Sequence, residues 1–191
     1  MWSVLFVVSL FVVSFSALSF TSIRENIKEV KTDKSEVVWK GYKVTGSHEG
    51  TIAIQSGSLT FEDEKLTGGK FVMDMTTINT TDLEGKYKEK LDGHLKSDDF
   101  FGVTNHPTAT LVFKEVTASG KNAYTVTGDL TIKGKTSPIS FTISIYGSKA
   151  TASLKVDRTK YDVRYGSTSF FDGLKDKAIY DEFDLVADLE F

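Results

Sequence analysis

The side chains that could do chemistry in this chain are few. Three histidines, His48, His94 and His106, stand far apart, with no His-x-x-x-His pair on one helical face and no cysteine in 191 residues. That is not the ligand spacing of a zinc site. Read singly, His94 suits the negative end of a helix, and His106 sits in the extended position that a following proline, Pro107, imposes. Asp98 and Asp99 form a carboxylate pair, but adjacent loop residues point apart, and a turn or cap acceptor is the simpler role. Serines and threonines are plentiful, yet no Gly-x-Ser-x-Gly elbow occurs. The nucleophile, base and orienting group of a hydrolase are therefore not visible. The expectation is a chain with no catalytic residue, no metal and no cofactor. A hydrolase acting on a lipid-like substrate through His94 and Asp98 is the less favoured alternative. Arg158 and Arg164, set in VDRTKYDVRYG, either hold a ligand head group or make ordinary surface ion pairs.

The elements that must position these residues are mostly strands. Val37, Trp39 and Gly41 alternate with Val38, Lys40 and Tyr42; Ile52 and Ile54 alternate with Thr51, Ala53 and Gln55. A turn at Ser56-Gly57-Ser58 then shifts the phase to Leu59 and Phe61. A hairpin turn follows at Glu62 to Lys65, and a longer strand from Leu66 to about Asn79, where Gly68-Gly69 signals a bulge. Beyond residue 108 the alternation is cleaner: Ala109, Leu111 and Phe113; Tyr124 to Ile132; Ile139 to Ile145; Ala150 to Val156; Phe183 to Leu189. Turns at Ser119-Gly120, Lys133-Gly134 and Gly147-Ser148 join these runs. Period two with one wet face means antiparallel sheet, and about eight such strands with short turns read as an all-β, up-and-down sheet closed into a barrel.

One helix interrupts the strands. Leu83, Tyr87, Leu91 and Leu95 recur every four residues as an apolar stripe, and Thr81 with Glu84 has capping-box spacing, so the helix is expected over about 81–96. Phe100-Phe101 follows it, and Phe170-Phe171 stands in a second non-strand segment, a short helix or loop near 168–175. Such pairs would serve to cover the ends, or one mouth, of an apolar barrel.

A barrel of eight strands either fills with side chains or leaves room for one small ligand. The inward runs mix Phe with Ala, Gly and Val. Small residues opposite aromatics leave a slot or interdigitate as a solid core, and the pattern alone does not decide between them. Met73 and Met75 suit an adaptable cavity and equally an ordinary core.

The run DGHLKSDDFF, then HPTATLVF, then GDLTIKGKTSP, in this order and spacing, resembles the YceI-like family of periplasmic lipid-binding proteins over roughly residues 35–191. Arg158 and Tyr161 match that family's late Arg-x-x-aromatic motif, while Asp162 stands where many members carry glycine. The resemblance implies a lipocalin-like barrel around a polyisoprenoid, an isoprenoid quinone or a fatty-acid amide, and it favours the cavity. The lining is then expected from Trp39, Met73, Met75, Phe113, Phe141, Leu154 and Phe183. Phe100, Phe101, Phe170 and Phe171 would gate it, and Arg158 would meet the head group. A solid-cored structural or interaction module of the envelope is the alternative.

Bulk properties agree. A net charge of −3 with mixed signs gives no basic patch for nucleic acid, and fourteen Phe suffice for a large core. Residues 1–19 carry no charged side chain and end in small residues, reading as a signal peptide cut after Ser19, with a retained anchor as the second reading. Residues 20–34 read as a flexible leader. A periplasmic or secreted protein close to the envelope membrane, with an apolar small-molecule partner, is the expectation; the oligomeric state, a homodimer among the options, is left open by the sequence.

Overall fold

The structure, a computed structural model, describes residues 25–191. The expected signal peptide and the first residues of the leader lie outside the described residues. Within residues 25–191 the alternating runs form nine strands: β1 (Glu25–Glu29), β2 (Glu36–Lys43), β3 (Gly46–Glu62), β4 (Lys65–Thr80), β5 (Thr108–Ala118), β6 (Ala123–Ile132), β7 (Lys135–Tyr146), β8 (Lys149–Asp157) and β9 (Ile179–Glu190). One helix, α1 (Gly85–Lys96), stands between β4 and β5. Strands β2 to β9 pair antiparallel in chain order, and β9 returns to β2, which closes the expected eight-stranded up-and-down barrel. Closure removes the open edges that an all-β sheet otherwise exposes. Strand β1 runs along the same side of β3 beyond β2: Glu29 faces Ser58, whereas Val38 faces Thr51.

Three local expectations are corrected. The stretch read as a flexible leader carries β1 from Glu25 onward, and its ENIKE sequence pairs through the backbone although four of its five side chains are exposed. Ser56-Gly57-Ser58 is not a turn: β3 runs unbroken from Gly46 to Glu62, and an extra residue at Gln55 against Met73 and Val72 makes a bulge. A bulge moves the side chains to the other face just as a turn would. The capping box does not form. Helix α1 begins at Gly85 with Glu84 at its N-cap and no side-chain cap bond, because the Thr81 N–H and hydroxyl both donate to the Glu49 carbonyl.

The helical stripe is also narrower than expected. A four-residue step overshoots one helical turn by about 40°, so Tyr87 and Leu95 lie about 80° apart around the axis. Leu95 is buried and Leu91 packs against the core, while Tyr87 is 78% exposed. The helix is tied down instead by Lys88, whose ammonium donates to Asp92 (2.9 Å), to the Thr80 carbonyl (2.6 Å) and to Asn79.

The end of the barrel away from α1 is solid. Gly57 and Gly69 leave the space that the Phe71 and Phe113 rings occupy; a Cβ there would come within 2.6 Å and 2.8 Å of those rings. Leu59 and Val126 are fully buried beside them, and Phe61 stacks on Phe191 at 5.7 Å. Hairpin turns at Asp63-Glu64, Lys133-Gly134 and Gly147 take the positive φ angles that tight antiparallel connections require.

Candidate functional site

Between that solid floor and the α1 end, the barrel encloses an almost wholly apolar cavity of about 160 Å³. A single water needs about 10–15 Å³ and two to four polar partners. This space is roughly ten times larger and offers almost no polar partners. Glycine under phenylalanine interdigitates at Gly57 and Gly69, whereas Gly41, Ala109, Ala152 and Ala187 put small residues on the cavity wall. Both readings of the large and small residues are therefore realised, at different places in the barrel.

The seven expected lining residues all reach this cavity. Trp39 comes from β2, Met73 and Met75 from β4, Phe113 from β5, Phe141 from β7, Leu154 from β8 and Phe183 from β9. The Phe71, Phe113 and Phe141 rings make a connected wall, with centroids 5.9 Å and 5.5 Å apart. Ile52, Ile54, Ile78, Leu130, Ile132 and Ile143, not among the expected residues, line it too. For five of them the signal was present, since they continue inward phases already identified; Ile78 is out of phase with Met73 and Met75 because β4 carries extra residues between Asp74 and Asn79.

Phe100 and Phe101 form the roof. Each is 7% exposed, their rings meet edge to face at 5.0 Å, and Phe101 lies 6.4 Å from Phe183. The loop that carries them folds back on the end of α1: the Phe101 N–H donates to the Leu95 carbonyl and the Val103 N–H to that of Lys96. Phe170 and Phe171 do not reach the cavity. They are 44% and 49% exposed on the loop before β9, with the Arg164 guanidinium 4.8 Å over the Phe170 ring. The expected gate thus has one Phe pair rather than two. The segment near 168–175 is a loop, with a single 3-10 turn at Lys175–Lys177.

Arg158 lines the cavity, but each of its three nitrogens already donates a hydrogen bond. It is 2% exposed, and Nε, Nη1 and Nη2 donate to the carbonyls of Tyr180 (3.0 Å), Val163 (2.7 Å) and Ile179 (2.9 Å). Asp181 stands 3.5 Å from Nη2, and Phe100 packs under the guanidinium at 5.6 Å. Burial lowers its pKa, with Asp181 and Asp157 opposing. Arg158 therefore fastens the base of the loop before β9 and is not a free hand for a head group. Beside it Tyr161 is buried, which pushes its hydroxyl up to about 12. Arg164 is exposed and pairs with Asp162 at 2.6 Å.

The histidines and the carboxylate pair are not brought together. His48 meets Asp82 at 3.0 Å, Asp98 accepts from Asn105 at 3.4 Å, and His94 packs between Tyr165 and Phe100 at 4.4 Å and 5.4 Å. Nε2 of His94 is buried without a hydrogen-bond partner, and burial pushes its pKa down, with Asp99 opposing. Among the described residues no three metal-ligating side chains cluster, and no helix is long and apolar enough to cross a membrane.

Comparison with known proteins gives three kinds of match. The family model of the YceI-like domain matches residues 29–191. A UPF0312 protein of Pseudomonas aeruginosa is 37% identical over 91 residues, 48% of this chain and 45% of that protein, so the chain spans about half the length of this curated relative. Among solved structures, BcnA of Burkholderia cenocepacia superposes with a TM-score of 0.66 at 22% identity, over 84% of this chain and 98% of the other. A polyisoprenoid binding domain from Saccharophagus degradans, implicated in plant cell wall breakdown, gives 0.57 at 15% identity, over 88% and 98%. Both likenesses speak for the same fold.

Proposed function

Because the chain belongs to the YceI-like domain family, we propose that it binds one long apolar molecule inside its barrel and does so in the cell envelope. The ligand is of the polyisoprenoid, isoprenoid quinone or fatty-acid amide class. The observation that carries this reading is the almost wholly apolar cavity of about 160 Å³ beneath the Phe100-Phe101 roof. A barrel working only through its outer surface has no use for such a void, and filling it with side chains would add stability. Burial of each CH₂ contributes about 0.8 kcal/mol, so a ten-carbon chain gains about 8 kcal/mol before the cost of association. No polar apparatus is needed for binding of this kind. The polyisoprenoid binding domain of similar fold supports the ligand class, and the apolar, uncharged residues 1–19 support the envelope location.

Native mass spectrometry of gently purified protein, followed by organic extraction, tests the proposal. One prenyl or acyl lipid per chain is expected. Protein that is always empty and takes up no such chain when offered it overturns the reading.

A further inference from the structure

A roof closed by two buried phenylalanines leaves open how a ligand gets in and which end of it stays outside. One stretch of wall is irregular. The β2–β9 ladder pairs Gly41 with Phe183 and then Lys43 with Ile179, so Tyr42 alone on β2 opposes Tyr180, Asp181 and Glu182 on β9. Such an excess leaves residues unpaired and the ladder locally disrupted. Gly41 lines the cavity at this point, and a Cβ placed on it would meet no atom within 4 Å. Outside the same stretch lies a polar surface hollow walled by Tyr42, Lys155, Thr168, Tyr180, Asp181 and Glu182. Tyr42 and Tyr180 thus border the apolar cavity on one side and the polar hollow on the other.

We propose that this gap between β2 and β9 is the ligand portal, and that the hollow outside it holds an uncharged head group that donates a hydrogen bond, a hydroxyl or an amide. The proposal rests on the reading that an apolar chain fills the barrel. Three cations beside the gap are already engaged: Lys155 with Asp184 (3.0 Å) and Glu182 (3.8 Å), Lys40 with Glu49 (3.2 Å), and Arg158 with Asp181 and three backbone carbonyls, while Lys43 at the rim is exposed to solvent. A phosphate or carboxylate head would find no unspent partner among the three and would face Asp181, Glu182 and Asp184. The Tyr42 hydroxyl is itself committed to Asp184 at 2.7 Å. By contrast, Oδ1 of Asp181, although 3.5 Å from Nη2 of Arg158, accepts no hydrogen bond and so keeps acceptor capacity toward a donating head.

The test uses the full chain, the fluorescent apolar probe N-phenyl-1-naphthylamine, and three competitors with one tail and different heads: 1-decanol, decanamide and decyl phosphate. The alcohol and the amide are expected to displace the probe at concentrations at least tenfold lower than the phosphate. Gly41→Leu, which projects a side chain into the gap, is expected to slow probe uptake at least tenfold in stopped flow with little change in Tm. Tyr180→Ala is expected to speed it. Glu182→Lys, a change at an exposed position, is expected to bring the phosphate at least threefold closer to the alcohol. Failure of the wild-type protein to take up the probe or any decyl compound overturns the chain-binding reading and the portal with it. Uptake without a head preference, or uptake as fast in Gly41→Leu as in wild type, overturns the portal alone.

Discussion

Phe100-Phe101 and Phe170-Phe171 both lie in loops at the α1 end of the barrel, yet the first pair is 7% exposed at each ring and the second 44% and 49%. The difference lies in what fastens each loop. Phe100-Phe101 follows a helix that is docked through Leu95, and the next residues return to its end: Phe101 and Gly102 donate to the carbonyls of Leu95 and Ser97, and Val103 to that of Lys96. These bonds satisfy orphan carbonyls at a helix C-terminus and carry the rings inward, with Val103 buried behind them. Around Phe170-Phe171 the neighbours are Thr168, Ser169, Asp172 and Gly173, and the two backbone N–H groups reach only the nearby Ser167 carbonyl. The base of that loop is pinned by Arg158 while its tip stays in solvent. Paired aromatics therefore become a roof where a helix end draws their backbone in, and remain on the surface where nothing does.

That contrast can be broken at several strengths. Phe101→Ala is expected to cost about 3–5 kcal/mol of stability, the usual range for emptying a buried aromatic site, as measured by urea denaturation. Arg158→Lys keeps the charge but loses the fork that reaches three carbonyls. A loss of about 2–4 kcal/mol is expected, because buried acceptors left without partners cost about 1–3 kcal/mol each; Tm measurements over a range of salt concentrations check it, since a buried network responds weakly to salt.

A pH effect should follow from the roof alone. The fold holds His94 neutral below its ordinary pKa near 6.5, so on acidification the unfolded chain takes up this proton first. Stability should therefore fall as the pH drops through about 6.5 and downward. Thermal melts between pH 7.5 and 5 should show a shallower fall in His94→Gln. The smallest effects belong to the outer loop. Phe170→Ala is expected to cost at most about 1 kcal/mol, the size of an exposed cation–π contact, and Phe171→Ala to stay within about 0.5 kcal/mol, by the same denaturation assay.

The strands of this barrel could be read from the chain because each has one face in the apolar interior and one in water, so Trp39, Phe113, Phe141, Leu154 and Phe183 announce their direction by alternation. Met73 and Met75 were expected in the wall on other grounds, because methionine suits an adaptable cavity. Strand β1 escaped notice because ENIKE pairs by backbone and buries almost nothing. The end of α1 was misplaced because Thr81 serves the β3 carbonyl of Glu49 instead of capping the helix. Arg158 was expected at a ligand head group, or failing that in a surface ion pair, since nothing local in VDRTKYDVRYG reveals three carbonyls converging from residues 163, 179 and 180. The two Phe pairs look alike in sequence, because their fates depend on a docked helix end in one case and its absence in the other.

The most direct measurement is a crystal structure of the protein grown with 1-decanol. Continuous density for the alkyl chain is expected through the barrel, beside Trp39, Met75, Phe113 and Phe141 and beneath Phe100 and Phe101. Alkyl density found only on the outer surface, with the interior empty at saturating alcohol, would contradict the account.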